Sequence, residues 1–181
     1  STGGDFALTT TRSLGQSGML MVGGDTTINA GTNAITLTNA SNAFAGAVNL
    51  TGGATQITSS SGLNLGTVNA GTLTATSTGA LVFGTTAVSG SLSATSNRGF
   101  IMQNGALTIA GNSTFNAGTG AISLTNVGNW FGGTVNLTGG ATTISSASAL
   151  TFGNVNTDTL LATSLGPMNL GTGTVRGNLS A

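Results

Sequence analysis

The stretch that decides the fold is Gly31 to Thr58, GTNAITLTNASNAFAGAVNLTGGATQIT, which returns as Gly118 to Ser145, GTGAISLTNVGNWFGGTVNLTGGATTIS. The two segments lie 87 positions apart and agree at 19 of 28 residues without a gap. The register then holds to the carboxyl end, and it extends backwards to the pair Gln16 and Gln103. Self-similarity at a fixed long period is typical of solenoids and repeat arrays, so we predict one unit of about 87 residues used twice.

The repeat divides the chain into two units that meet near position 94. Residues 1–94 form the first unit, whose start is incomplete or overlaps the next copy, and residues 95–181 form the second. The alignment gains or loses one residue near Ser13, because Arg12 matches Arg98 at a spacing of 86. We expect the two units to continue into each other as one solenoid.

Charge is almost absent from the chain. Charged residues make up 3% of it, against about 25% in typical soluble proteins. Three arginines spread over 181 residues form no basic patch, so we predict no nucleic-acid partner. The apolar runs are short, so we also predict no membrane insertion. The charged residues are Asp5, Arg12, Asp25, Arg98, Asp158 and Arg176.

Apolar residues recur at every second position in short runs, as in the pair Ile35 and Leu37 and the pair Val48 and Leu50. Alternate side chains of a strand share a face, so this spacing predicts strands. Threonine, asparagine and serine flank the pairs and glycine closes them, and no run has the helical period. The sequence therefore predicts an all-β protein with short strands.

Such short strands favour a parallel β-helix, or β-solenoid, in which each turn of the chain forms one rung. A shorter echo inside the unit supports this fold, because GTVNAGTLTATS (66–77) resembles GTTAVSGSLSATS (84–96) with endings 19 residues apart. An 87-residue unit would then hold about four rungs, or five if the rungs are tighter. The side chains that we expect to form the core ladder are Phe44, Phe131, Val48, Val135, Leu50, Leu137, Ile57 and Ile144.

The sequence offers no constellation of residues for catalysis. Histidine and cysteine are absent, and the three acids Asp5, Asp25 and Asp158 lie far apart. A catalytic acid, base or nucleophile needs neighbours that activate it. Asp25 becomes Asn112 in the second unit, which is typical of surface variation. We therefore predict a protein that is not an enzyme and that has no catalytic residue, no cofactor and no metal site.

Trp130 is the only tryptophan in the chain. Ala43 stands in its place in the first unit, whereas Phe44 stands in the place of Phe131. An aromatic side chain without a counterpart in the other copy is expected at the surface or in a loop. It could contact a glycan or another partner there, and ordinary packing is the alternative.

Thr72, Thr74, Thr76 and Thr78 alternate along one predicted strand. A flat and regular threonine array is the geometry that ice-binding solenoids use, so an ice-interacting surface is a further alternative. The second unit has Leu160-Leu161-Ala162-Thr163 at this place, which argues against a repeating threonine lattice.

The segments NAFAGAVNLTGG and NWFGGTVNLTGG are each followed by a second element, 63–68 or 150–155. This combination resembles the repeats of large bacterial secreted adhesins of the filamentous-haemagglutinin type. The resemblance implies a right-handed parallel β-helix that works outside the cell, at the bacterial surface, as a structural segment of a filament or adhesin shaft. The partners it implies are further copies of the repeat, by fibre self-association or in a longer chain. A module that binds host or matrix glycans is the alternative.

Overall fold

A computed structural model describes all 181 residues and contains strands, bridges and turns but no helix. It therefore has no helix long and apolar enough to cross a membrane. The all-β prediction is confirmed. The strands are β1 (Phe6–Thr9), β2 (Leu14–Gly15), β3 (Met21–Val22), β4 (Thr26–Asn29), β5 (Ile35–Leu37), β6 (Ala43–Phe44), β7 (Ala47–Ser59), β8 (Leu63–Ser77), β9 (Leu81–Phe83), β10 (Thr86–Val88), β11 (Leu92–Ser96), β12 (Ile101–Gln103), β13 (Leu107–Ile109), β14 (Ser113–Asn116), β15 (Ile122–Leu124), β16 (Trp130–Phe131), β17 (Thr134–Ser146), β18 (Leu150–Ser164), β19 (Met168–Asn169), β20 (Thr172–Val175) and β21 (Leu179–Ser180).

The strands of successive turns pair in parallel and stack into a β-solenoid of about nine turns. Val48 pairs with Leu65, which pairs with Phe83, which pairs with Gln103. Each step along this ladder advances the chain by 17 to 20 residues, the length of one turn. Because backbone N–H and C=O groups bond to the turns above and below, stacking satisfies them without a helix or a hairpin. The predicted parallel β-solenoid is confirmed.

A turn from the middle of the chain has three sides. Strand β8 pairs with three successive strands of the next turn, through its segments 63–65, 68–70 and 73–77. We call the sides that contain these segments face one, face two and face three. The boundary between the sequence units, at 94–95, lies inside strand β11 on face three, so the sheet runs through it without a break.

Side chains alternate strictly between the interior and the surface on these faces. In β8 the apolar residues at every second position are buried and the threonines and asparagines between them face outward. The side chains assigned from sequence to the core ladder are all buried in one apolar cluster, and they are Phe44, Phe131, Val48, Val135, Leu50, Leu137, Ile57 and Ile144. Period-two spacing thus places a continuous apolar column inside the solenoid.

Three phenylalanines, one from each face, meet inside the middle part of the solenoid. The rings of Phe83 and Phe115 lie 6.3 Å apart at 84°, and those of Phe115 and Phe131 lie 6.2 Å apart at 88°. Edge-to-face contacts of this kind add to the free energy of burial. The aromatic stack fills the wide interior where three sheets face one another.

One corner uses the same backbone device in both units. Gly31 and Gly118 both have φ of +59°, a left-handed conformation that glycine adopts without steric cost. Each glycine N–H donates to the side-chain oxygen of an asparagine two residues earlier, Asn29 or Asn116, at 2.9 Å. The Asn-x-Gly segments at 29–31 and 116–118 therefore form equivalent corners of the two units.

The sequence unit and the structural turn are out of phase. Four turns above Leu73 the ladder reaches Phe152, by way of Leu92, Ser113 and Val135. The counterpart of Leu73 in the second unit is Leu160, eight residues beyond Phe152 and on face one, where it pairs with Thr142. One unit is therefore four turns and less than half of a fifth, within the predicted range. Equivalent residues of the two units lie on different faces.

The central ring of the aromatic stack predicts a large effect on stability. Replacing Phe115, which is fully buried, by alanine should lower the free energy of unfolding by about 3–5 kcal/mol, because a cavity replaces ring contacts on two sides. Phe100 is 42% exposed, so Phe100→Ala should change it by about 0.5 kcal/mol or less. Urea unfolding followed by circular dichroism measures both values, and equal losses would contradict this description of the core.

Candidate functional site

Trp130 lies on the outward side of face two, and 40% of it is exposed. It pairs with Thr108 of the turn before, while its neighbour Phe131 is buried and pairs with Ile109. The indole lies along the strand, because a side chain added at Gly132 would collide with its ring. The ring is thus an apolar plate on the outward side of face two, beside the exposed Thr108.

The first unit carries no equivalent plate. Ala43 is half-buried and pairs with Met21, and Phe44 beside it is buried and pairs with Val22. The exposed aromatic surface at Trp130 is therefore specific to the second unit.

The acids predicted to be surface variation have structural roles instead. Asp25 accepts a hydrogen bond from the Ala47 N–H of the following turn at 2.8 Å, and Asn112 accepts one from Thr134 at 3.0 Å. Only an acceptor oxygen is needed at this corner, so the carboxylate and the amide are interchangeable. The interpretation of Asp25 and Asn112 as mere surface variation was wrong, because the two side chains make the same contact.

The other two acids also hold the backbone or an arginine. Asp5 accepts a hydrogen bond from the Asp25 N–H at 2.9 Å. Asp158 forms an exposed ion pair with Arg176, whose Nη1 lies 3.2 Å from the carboxylate, and Arg176 also donates to Asn156. The structure brings Asp5 and Asp25 into adjacent turns and leaves Asp158 in the last turns.

The sequence analysis missed a buried amide pair that occurs once in each unit. The Asn129 side chain is fully buried. Its Nδ2 donates to Gln103 Oε1 at 2.8 Å and to the Leu124 carbonyl at 3.1 Å, and its Oδ1 accepts from Gln103 Nε2 at 2.8 Å and from the Leu107 N–H at 2.9 Å. Each hydrogen bond joins the Asn129 corner to a neighbouring segment, so the pair fastens adjacent turns.

The first unit repeats this arrangement with Asn42 and Gln16. Asn42 Nδ2 donates to Gln16 Oε1 at 2.9 Å, and Asn42 Oδ1 accepts from Gln16 Nε2 and from the Leu20 N–H, both at 2.8 Å. The signal in the sequence was the retention of both residue types at the same places in both units. The pair keeps its geometry although the two copies lie on different sides of the solenoid.

Apolar concave surfaces lie at the two ends of the rod. An open cavity of about 410 Å³ at the first turn is lined by apolar side chains that include Phe6, Leu14 and Leu20. A second, of about 300 Å³ at the last turns, is lined by Val155, Leu160 and other residues. Both expose the interior column of the solenoid.

The fold and these sites define a β-solenoid repeat protein. The profile of a family described as repeats of unknown function (DUF5649) matches residues 1–51 and 70–138. These segments make up well over half of the chain, so the chain belongs to this repeat family. No curated protein and no solved structure matches it.

The shared role of Asp25 and Asn112 gives a matched pair of substitutions. Asp25→Asn should leave the free energy of unfolding within about 0.5 kcal/mol of the original, because the amide oxygen still accepts the Ala47 N–H. Asp25→Ala should lower it by about 1 kcal/mol, because that N–H loses its partner. Urea unfolding measures both, and a loss with asparagine as large as that with alanine would contradict the role.

Proposed function

We propose that the chain is a non-catalytic structural segment of a long extracellular bacterial filament or adhesin shaft. The observation that carries the proposal is the unbroken parallel ladder, which runs across the unit boundary within strand β11. In such an array each turn contacts mainly its neighbours, so length can grow by adding units without a change in cross-section.

The polar side chains that could otherwise take part in catalysis form hydrogen bonds that stabilise the solenoid. Asp5 and Asp25 accept backbone hydrogen bonds at corners, and the buried amides of Asn42 and Asn129 join turns. These contacts support a role in holding a rod together. The resemblance of the NLTGG segments to filamentous-haemagglutinin repeats adds export, a surface location and a right-handed sense of winding to the proposal.

The surfaces at the two ends suit another turn of the same kind. The apolar side chains at the first turn and the last turns are only partly covered, among them Phe6, Leu8, Met168 and Val175. Inside the rod, the turns above and below cover equivalent side chains. The partner that fits each end is therefore more of this repeat, in a longer chain or in an associating fibre.

A fusion of two copies in register tests the proposal. Ala181 is the counterpart of Ala94, and Thr95, which follows Ala94, is the counterpart of Thr9. A chain in which Ala181 is followed directly by Thr9 of a second copy should form one rod that is longer by roughly 40 Å, about nine more turns at about 4.8 Å each. It should also unfold at a higher urea concentration than the single copy, because one pair of exposed ends is buried.

The control fusion starts the second copy at Gly18, so that nine residues, about half a turn, are missing from the junction. Because residues are missing here, the junction is too short to complete its turn, and the register cannot be restored by looping out residues. Small-angle X-ray scattering and urea unfolding should then report two hinged rods that unfold like the single copy. The proposal that units extend the shaft by continuing the strand register would be excluded if the two fusions had the same length and the same unfolding midpoint.

A glycan- or receptor-binding module is the second candidate, and the exposed ring of Trp130 is the observation that favours it. Aromatic plates on a polar surface are frequent anchors at binding interfaces. Thr108, which is exposed beside the ring, would supply a hydrogen bond. On this candidate, the shaft would carry a contact on face two of the second unit.

Trp130→Ala tests this candidate in an adhesion assay on immobilised matrix glycans. Binding should weaken by more than about tenfold, since the loss of a central aromatic anchor costs about 2 kcal/mol or more. Phe100→Ala is the matched control, because Phe100 is exposed to nearly the same extent as Trp130. Equal binding by the original protein and the Trp130 variant, with the fold intact by circular dichroism, would remove the candidate.

A further inference from the structure

Face three carries two outward columns of hydroxyl and amide side chains. Within each column, successive side chains lie one rung apart along the rod. We call this surface the threonine face. The column that continues through the most turns pairs residue by residue, and it consists of Thr58, Thr76, Thr95, Asn116, Thr138, Asn156 and Thr174.

The second column lies two residues earlier in each strand. Its paired members are Thr36, Gln56, Thr74, Ser93, Thr114 and Asn136. A register shift between Val135 and Leu137 interrupts it, and the column resumes at Asn154 and Thr172. Neighbours lie about 4.8 Å apart along the rod and about 6.6 Å apart along a strand, which makes a two-dimensional lattice of polar groups.

No charged or large apolar side chain belongs to either column, and this distinguishes face three from the other two sides. The outward column of face one contains Val82, Met102 and Leu161, and the outward column of face two contains Ala87 and Trp130. From strand β7 onward, the threonine face is the one side on which each turn presents a hydroxyl or an amide at both positions; in the first turns, Thr36 pairs with Gly15, which has no side chain.

Comparison of the two units argued against this lattice, because it matched each threonine with the residue 87 positions later and not with its neighbour in the next turn. The spatial neighbour of Thr76 is Thr95, and beyond it lie Asn116 and Thr138. Thr163, the counterpart of Thr76, lies on face one and pairs with Ser145. The lattice is assembled from non-equivalent residues of the two units, so that comparison could not detect it.

We propose that the threonine face binds ice. Its two spacings are close to the repeat distances between oxygens in the prism planes of hexagonal ice. The hydroxyl groups, held at these spacings by the backbone ladder, can order water into the same lattice, and the threonine methyl groups fill the gaps between water molecules. β-Branched threonine has few side-chain rotamers, so little conformational freedom is lost on binding.

The chemistry of the face disfavours other occupants. A crystalline polysaccharide is held by aromatic plates, and Trp130 lies on face two instead. A nucleic acid or an anionic surface requires several cationic side chains, and the one that contacts these columns, Arg176 at Asn156, is already paired with Asp158. A second copy of the chain would find no apolar centre to bury on this face.

The test measures thermal hysteresis and adsorption to a growing ice hemisphere, with the whole 181-residue chain. The chain has no lysine, so a fluorophore on the amino group of Ser1 labels one site. Thr76→Tyr places a bulky ring in the middle of the threonine face. Thr143→Tyr is the matched control, because Thr143 is a half-buried outward threonine of face one.

The original protein and the Thr143 variant should adsorb to ice and give the same hysteresis, and the Thr76 variant should lose most of both. Thr95→Tyr repeats the test if the Thr76 variant does not keep its β-sheet circular dichroism. Exclusion of the original protein from growing ice overturns the proposal. This holds even if the protein binds crystalline cellulose or chitin. Equal loss in the Thr76 and Thr143 variants overturns it as well. The shaft proposal stands or falls separately, on the fusion experiment.

Discussion

The structure depends on one constraint, the need of every backbone N–H and C=O group for a partner in the turn above or below. Parallel pairing at each step satisfies these groups, but only if each turn returns the chain to the same path after some 17 to 22 residues. The apolar columns follow from this return, because residues that pair on one face point to the same side. Removing the partner turns would leave both the hydrogen bonds and the apolar surface exposed.

Variation in turn length is accommodated at the corners by small side chains with oxygen acceptors. Where the ladder between β7 and β8 shifts register, Asn49 Oδ1 accepts the Thr67 N–H at 2.8 Å, and Asn136 does the same for Asn154 in the second unit. Asp25 and Asn112 satisfy another corner in the same way. A chain with 3% charged residues can therefore be polar with only the exposed Asp158–Arg176 ion pair, because its amides and hydroxyls are bonded to the backbone.

The mismatch between the 87-residue unit and the turn decides which residues lie side by side on the surface of the rod. An 87-residue unit is not a whole number of turns, so each feature of one unit reappears on another side in the next. The register shift at Asn49 and its counterpart at Asn136, for example, lie on different faces. The same mismatch brings residues without sequence equivalence together on the threonine face.

The sequence by itself determined the class of fold, the length of the unit and the side chains of the interior. Period-two spacing, glycine corners and the repeat are local signals, and pairs such as Val48 and Val135 can be read from them without coordinates. The role of Asp25, the amide pair of Asn129 and Gln103, and the lattice around Thr76 were decided only by the tertiary structure. Each depends on which residue lies one turn away. The number of residues in a turn varies along the chain, so the 87-residue alignment does not show which residues are neighbours in successive turns.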